Sequence, residues 1–247
     1  MPVVRLTLAY EGADFHGWQV QPDRPTVQGC LAATCARIVG APVKVVGASR
    51  TDAGVHALRQ VASVTGPIRL EPARLGRALN ALLPASIRVV DARLAPDGFD
   101  ARRSALGKRY LYLIDRGAVA DPFLRRHAWH APYRLDAVSM RTALPALLGK
   151  HDFSAFCAAP GRARSPICTV RSLRVIARRD RLAVLLSADA FLHHMVRNVV
   201  GSLVEVGRGA RPAPWLAEVL EGRDRGRAGP TAPAHGLVLV RVLYPAA

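Results

Sequence analysis

GKRYLYLIDR, residues 107–116, alternates with the period of two that a strand requires, and its place in the chain decides the fold. It opens a second series of elements after a first has closed at IRVVDARL, residues 87–94. Downstream, the pattern predicts a helix over 136–148, with Pro145 disturbing its last turn. Strands follow at 168–178 and 182–189 around the charged turn ARRDR, then a helical stretch at 193–206 and the strand GLVLVRVLY at 236–244. Upstream, VVRLTLAY at 3–10 is the opening strand. Thr26 caps a helix over VQGCLAATCARIVG that places Val27, Leu31, Thr34 and Ile38 at helical spacing, and Gly40 and Pro42 stop it. Strands at 43–47 and 60–66 and a helix over 71–83, closed by Pro84, lead to 87–94.

Both series read β-α-β-β-α-β. The economical fold is therefore α+β, with two ferredoxin-like (split β-α-β) halves, mainly antiparallel sheets and helices over one face of each. The halves are 1–106, which carries a loop with Asp52, and 107–247, which carries the tyrosine strand and a helix with Arg197. The 247 residues suffice for two compact cores. The stretches 95–106, 117–135, 152–167 and 207–235 read as irregular and rich in Arg, Gly and Pro, which suits nucleic-acid contact or subunit packing.

The charge points the same way. There are 35 Lys+Arg against 18 Asp+Glu, a formal +17, divided +7 and +10 between residues 1–120 and 121–247. A polyanion is the expected partner. Only Lys44, Lys108 and Lys150 are lysines, a skew that genome composition explains better than it explains the excess charge. No run of about 18 apolar residues suggests a membrane span, and MPVVRLTLAYEG reads as a strand rather than a signal peptide. Cys30, Cys35, Cys157 and Cys168 have no zinc-ligand spacing, so buried thiols in a reducing cytoplasm are expected.

Four stretches carry chemistry-bearing residues. GASRTDAGVHA, residues 47–57, sets Arg50 and Asp52 among small residues between two strands, where a ligand can approach the backbone. It matches neither phosphate-cradling glycine motif, and alone it is equally an Asp turn beside a solvated arginine. FLHHMVRNVVG, residues 191–201, places Arg197 and Asn198 in an apolar helix, where a guanidinium either calls for an anion, with Asp52 the attractive partner, or lies on a helix edge facing solvent. The adjacent His193 and His194 point in different directions on a helix and make a poor metal pair. Lys108, Tyr110 and Tyr112 share one strand face, which fits either base stacking or a core. In FHGWQVQP, residues 15–22, Trp18 either touches RNA or anchors the following helix. An RNA-binding module without chemistry leaves Asp52 unexplained, and a hydrolase lacks an evident second carboxylate.

Together these blocks resemble the TruA family of tRNA pseudouridine synthases. The resemblance rests on FHGWQVQP with TVQG at 26–29, RTDAGVHA at 50–57, KRYLY at 108–112, FLHHMVRNVVG at 191–201 and TAPAHGLVLVRVLY at 231–244. It implies a central active-site cleft, a homodimer, and isomerisation of uridine to pseudouridine at positions 38, 39 and 40 of the tRNA anticodon arm. It implies neither a metal, nor an organic cofactor, nor an obligate protein partner. By the same resemblance Asp52 is the catalytic aspartate and Arg197 its partner, Tyr110 lies against the target base, Arg50 positions the backbone, and Leu237 walls the uracil pocket. Tyr112, His56, Trp18 and His194 match motif positions as supporting residues. Ser49 stands where many relatives have glycine.

Overall fold

The computed structural model describes residues 2–158 and 165–245; positions 159–164, within the stretch read as irregular at 152–167, lie outside the described residues. The chain divides into two compact units, Met1–Leu106 with Val238–Ala247, and Gly107–Leu237. Both mix helices with largely antiparallel strands, the α+β class expected from sequence.

The first unit runs β1 (Val3–Tyr10), α1 (Val27–Val39), β2 (Lys44–Gly47), β3 (His56–Thr65), α2 (Pro72–Leu82), β4 (Ile87–Leu94). Strand β1 lies antiparallel between β3 and β4, so Val4, Leu6, Leu8 and Tyr10 fall on one face. That face is buried with Val27, Leu31 and Cys35 of α1 and Leu75 and Leu79 of α2. Helix α1 is bounded as its sequence demands. The Thr26 hydroxyl accepts from the Gly29 N–H at 3.2 Å, and Gly40 closes the helix in the left-handed region at φ +74°. On the opposite face of β1, the Arg5 guanidinium lies 4.5 Å from the Tyr244 ring centroid and 5.4 Å from that of Phe99. Tyr244 donates to Ala101 O at 2.6 Å and the Ala101 N–H donates to Ser63 Oγ at 3.3 Å, so part of the 95–106 stretch is packed structure.

Strand β10 (Leu237–Leu243) departs from the sequence reading. Residues 238–247 group with the first unit, whereas the sequence assigns them to the half spanning 107–247. Val238 and Leu239 pair in parallel with His56 and Ala57 of β3, and the Leu106 N–H donates to Leu243 O at 2.8 Å. A strand's own sequence specifies its faces, not its neighbour.

The second unit contains β5 (Gly107–Asp115), β6 (Trp129–His130), α3 (Ala137–Ala143), β7 (Gly149–Asp152), β8 (Ile167–Arg178), β9 (Arg181–Ala188), α4 (Met195–Gly207) and α5 (Trp215–Gly222). Its sheet runs β7-β8-β9-β5 with antiparallel neighbours, and β6 adds in parallel to β5. The helix expected over 136–148 is shorter. It ends at Ala143 and continues as a 3-10 turn over Leu144–Leu147, where Pro145 withholds an N–H. Helix α4 is buried nearly all round, as an apolar helix must be. Helix α5 lies inside the stretch read as irregular at 207–235 and buries Trp215, Leu216, Val219 and Leu220. Among the described residues no helix is long and apolar enough to cross a membrane.

Candidate active site

The Asp52 loop is fastened on both sides of the aspartate. Thr51 is buried; its Oγ1 lies 2.8 Å from the Tyr10 hydroxyl, and its carbonyl accepts from the Trp18 N–H at 3.0 Å. The Asp52 carbonyl accepts from the Val55 N–H at 3.1 Å, closing a turn in which Gly54 takes φ +79°. Behind it, the fully buried Gln60 side chain replaces a missing strand partner. Its Nε2 donates to Ser49 O at 2.7 Å and to the Tyr10 hydroxyl at 3.3 Å, while its Oε1 accepts from the Ser49 and Val61 N–H groups, each at 3.2 Å. Such a satisfied buried network holds a loop rigidly. Ser49 is bonded through its backbone and lies outside the positive-φ positions, so a side chain there introduces no strain.

Two glycines permit the close approach. At Gly17, φ +87°, a Cβ would lie 2.6 Å from Thr51 O; at Gly12 it would lie 2.0 Å from Val55 O. The Gly12 N–H donates to His56 Nδ1 at 3.0 Å, which puts any neutral-ring proton on Nε2. Trp18 is buried at 1 % exposure and packs so tightly over Gly47 that a Cβ there would meet the indole at 2.3 Å. Its carbonyl accepts from the Gln28 N–H at 3.0 Å. The tryptophan is thus an anchor joining α1 to the Asp52 loop, the structural member of the two readings open in sequence. Asp52 itself is partly exposed and Arg50 is exposed.

In the second unit Tyr110 and Tyr112 of β5 are both buried, at 5 % and 0 % exposure, so Tyr112 is enclosed in the core and Tyr110 keeps only a small exposed edge. The Tyr112 hydroxyl donates to Pro233 O at 2.7 Å, and burial pushes its pKa well above the ordinary phenol value, against a smaller lowering by the Arg197 charge. Tyr110 meets Phe191 edge-on, with centroids 4.9 Å apart. Gly236 packs on Tyr112, where a Cβ would lie 2.6 Å from Cζ, and Leu237 beside it is buried. His235 is held below the usual histidine range by burial, an effect partly opposed by its bond to the Ala128 backbone and reinforced by the Arg197 charge, so it is neutral near pH 7.

Arg197 is positioned by the strap that precedes β10. Its Nε donates to Ala232 O at 2.7 Å, and the Ala232 N–H donates back to Arg197 O at 3.2 Å. Beside it, the fully buried Asn198 donates through Nδ2 to Phe156 O at 2.7 Å and accepts at Oδ1 from Thr231 and Arg225. His193 and His194 stack with ring centroids 3.9 Å apart, and His194 adopts φ +60° ahead of α4.

Of the residues singled out in sequence, Asp52 and Arg50 belong to the first unit, and Tyr110, Arg197 and Leu237 to the second. The supports Tyr10, Thr51 and Gln60 escape sequence reading, although a glutamine directly before the largely apolar run at 61–64 of β3 is a signal. Arg225 gives none, and Thr231 opens the block at 231–244 without being singled out.

An α+β chain with a braced aspartate loop and a tethered helix arginine is matched by a family model described as tRNA pseudouridine synthase, over residues 7–102 and 143–245. The class is that of enzymes that convert uridine to pseudouridine in tRNA. Curated relatives named tRNA pseudouridine synthase A align almost end to end. That of Myxococcus xanthus is 47 % identical over 245 residues, covering 99 % of this chain and 92 % of its own. That of Methylacidiphilum infernorum is 45 % identical, covering 98 % and 95 %, and that of Azorhizobium caulinodans 46 %, covering 99 % and 95 %. The chain belongs to the TruA family of tRNA pseudouridine synthases.

Proposed function

We propose that this protein isomerises uridine to pseudouridine at positions 38, 39 and 40 of the tRNA anticodon arm, as a cytoplasmic homodimer that uses neither metal nor organic cofactor. The observation that carries the reading is the Asp52 loop. The family motif RTDAGVHA is built into a rigid turn braced by Tyr10, Thr51, Trp18 and Gln60, while the Asp52 side chain stays partly exposed. The net +17 charge supplies the attraction for RNA.

In this reading the target nucleotide leaves its stack before reaction, which is least costly near a loop. Arg50, Tyr110, Arg197 and Leu237 hold the RNA and its flipped base, and Asp52 carries the chemistry. The N1–C1′ bond breaks, the uracil turns while retained, a C5–C1′ bond forms, the C5 proton leaves and N1 gains one. The reaction is atom-balanced without a co-reactant. Attack by Asp52 at C1′ and proton abstraction by Asp52 at C2′ both need its carboxylate ionised. Tyr110 packs against the base.

The test is incubation with unmodified tRNA carrying C5-tritiated uridine, in the presence of EDTA. Tritium release with the RNA intact, and pseudouridine mapped to positions 38–40, is the expected result. No release from folded protein on several tRNAs overturns the reading, and mapping elsewhere overturns the positional part. Light scattering in solution tests the dimer.

A further inference from the structure

The strap over residues 229–233 lies backbone to backbone on helix α4. A Cβ on Gly201 would lie 1.7 Å from Pro230 O, and one on Gly229 would lie 2.7 Å from the Ser202 Cα. Both crossings are made by glycine, which brings no side chain of its own to interlock there. Register is instead carried by hydrogen bonds: the Gly229 N–H to Ser202 Oγ at 2.9 Å, Thr231 Oγ1 to Asn198 Oδ1 at 2.6 Å, and the two bonds between Arg197 and Ala232.

One side chain from a third segment grips both partners. Arg225, in a 3-10 turn over Arg225–Arg227, donates from Nη1 to Gly229 O at 3.0 Å and from Nη2 to Thr231 Oγ1 at 2.9 Å and Asn198 Oδ1 at 3.1 Å. Its turn is set by Asp224, whose carboxylate accepts from the Gly226 N–H at 2.8 Å. A planar fork that meets a carbonyl, a hydroxyl and an amide oxygen at once fixes their relative positions, which a lysine's point charge does not.

We propose that Arg225, acting through Thr231 and Asn198, is a positioning residue for Arg197. It sets the strap's register, the strap's Ala232 carbonyl sets the Arg197 Nε, and the guanidinium plane follows. Arg225 lies outside the sequence blocks on which the resemblance rests. The inference rests on the reading that Arg197 serves the reaction.

The experiment is single-turnover tritium release, paired with filter binding of the same tRNA, on wild type, Arg225→Ala, Thr231→Val and Thr231→Ser. Arg225→Ala is repeated in an Arg197→Lys background. Activity of the wild type comes first, because its absence defeats the functional reading itself. Given that activity, Arg225→Ala slows the chemical step about 10- to 100-fold, as a misplaced catalytic environment does, while the tRNA Kd stays within about threefold. Thr231→Val slows it in the same way, and Thr231→Ser, which keeps the hydroxyl, stays near wild type. In the Arg197→Lys background the further slowing by Arg225→Ala falls below about twofold, because both changes act through one guanidinium. Wild-type rates in Arg225→Ala, a Kd weakened as much as the rate, or slowing that multiplies fully in the Arg197→Lys background each overturn the proposal. Should Arg225→Ala fail to fold, the contrast between Thr231→Val and Thr231→Ser decides, and equal rates in those two reject it.

Discussion

Replacing Gln60 by Glu keeps the shape of the side chain and changes one donor. The Oε1 position faces the Ser49 and Val61 N–H groups, which a carboxylate serves well. The Nε2 position faces Ser49 O at 2.7 Å and the Tyr10 hydroxyl at 3.3 Å, and the carbonyl requires a donor. Only the protonated acid supplies one, so in the fold the glutamic acid titrates above its unfolded value of about 4.3. The sign follows: a raised folded pKa leaves the variant's stability intact below about pH 4.3 and erodes it as pH rises toward the folded value. The loss is about 1.4 kcal/mol per pH unit. The gap to wild type therefore widens from about 1.5 kcal/mol near pH 5.5 to at most about 4 kcal/mol near pH 7.5. In a chain of this size each kcal/mol moves Tm by roughly 2–4 °C. Thermal melts of both proteins at the two pH values measure it, and tritium release at the higher pH should fall as the Asp52 loop loosens. A gap that does not change with pH, or one below about 1 kcal/mol near pH 7.5, refutes the bracing role given to Gln60.

Other outcomes follow from the same geometry. Asp52→Asn should bind tRNA with little change while tritium release falls to near background; turnover comparable to wild type removes Asp52 as the catalytic group. Gly201→Ala, which in an exposed helix gains up to about 1 kcal/mol, should here lose about 2 kcal/mol or more in urea unfolding because its Cβ would meet Pro230 O at 1.7 Å. Tyr112→Phe leaves Pro233 O without its donor and should destabilise by about 1–2 kcal/mol in the same assay. Burial pushes the Cys35 and Cys168 thiols up to about 12. Near pH 8 they should resist a disulfide reagent until the protein is denatured, and stability should fall as pH rises from about 9 toward 11, where only the unfolded chain ionises them.

What could be read along the chain was what local chemistry governs. Thr26 and Gly40 bound α1 because a cap hydroxyl and a left-handed glycine act within four residues. Alternation in KRYLY gave β5, and the sequence order of motifs gave the family. Helix α5 carried a signal, Trp215 and Leu216 followed at helical spacing by Val219 and Leu220, but it sat among Arg, Gly and Pro and read as irregular. Strand β7, GKHD, has no β-branched residue and exists because β8 offers it a pairing edge, His151 against Cys168. The tyrosine strand illustrates the limit: its sequence put Tyr110 and Tyr112 on one face, and only packing decided that Tyr112 is enclosed while Tyr110 keeps a small exposed edge.

By itself, then, the sequence determined the main helices and strands and their order, the charge and the site motifs, since propensity, periodicity and capping act over a few residues. Tertiary structure alone decided which sheet receives β10 and which polar groups brace the site. Tyr10 meets Thr51 and Gln60 from 41 and 50 residues away, and Arg225 meets Asn198 from 27. Such bonds form because a buried donor without an acceptor is costly, and the acceptor is whichever group the folded backbone brings near, however distant in the chain.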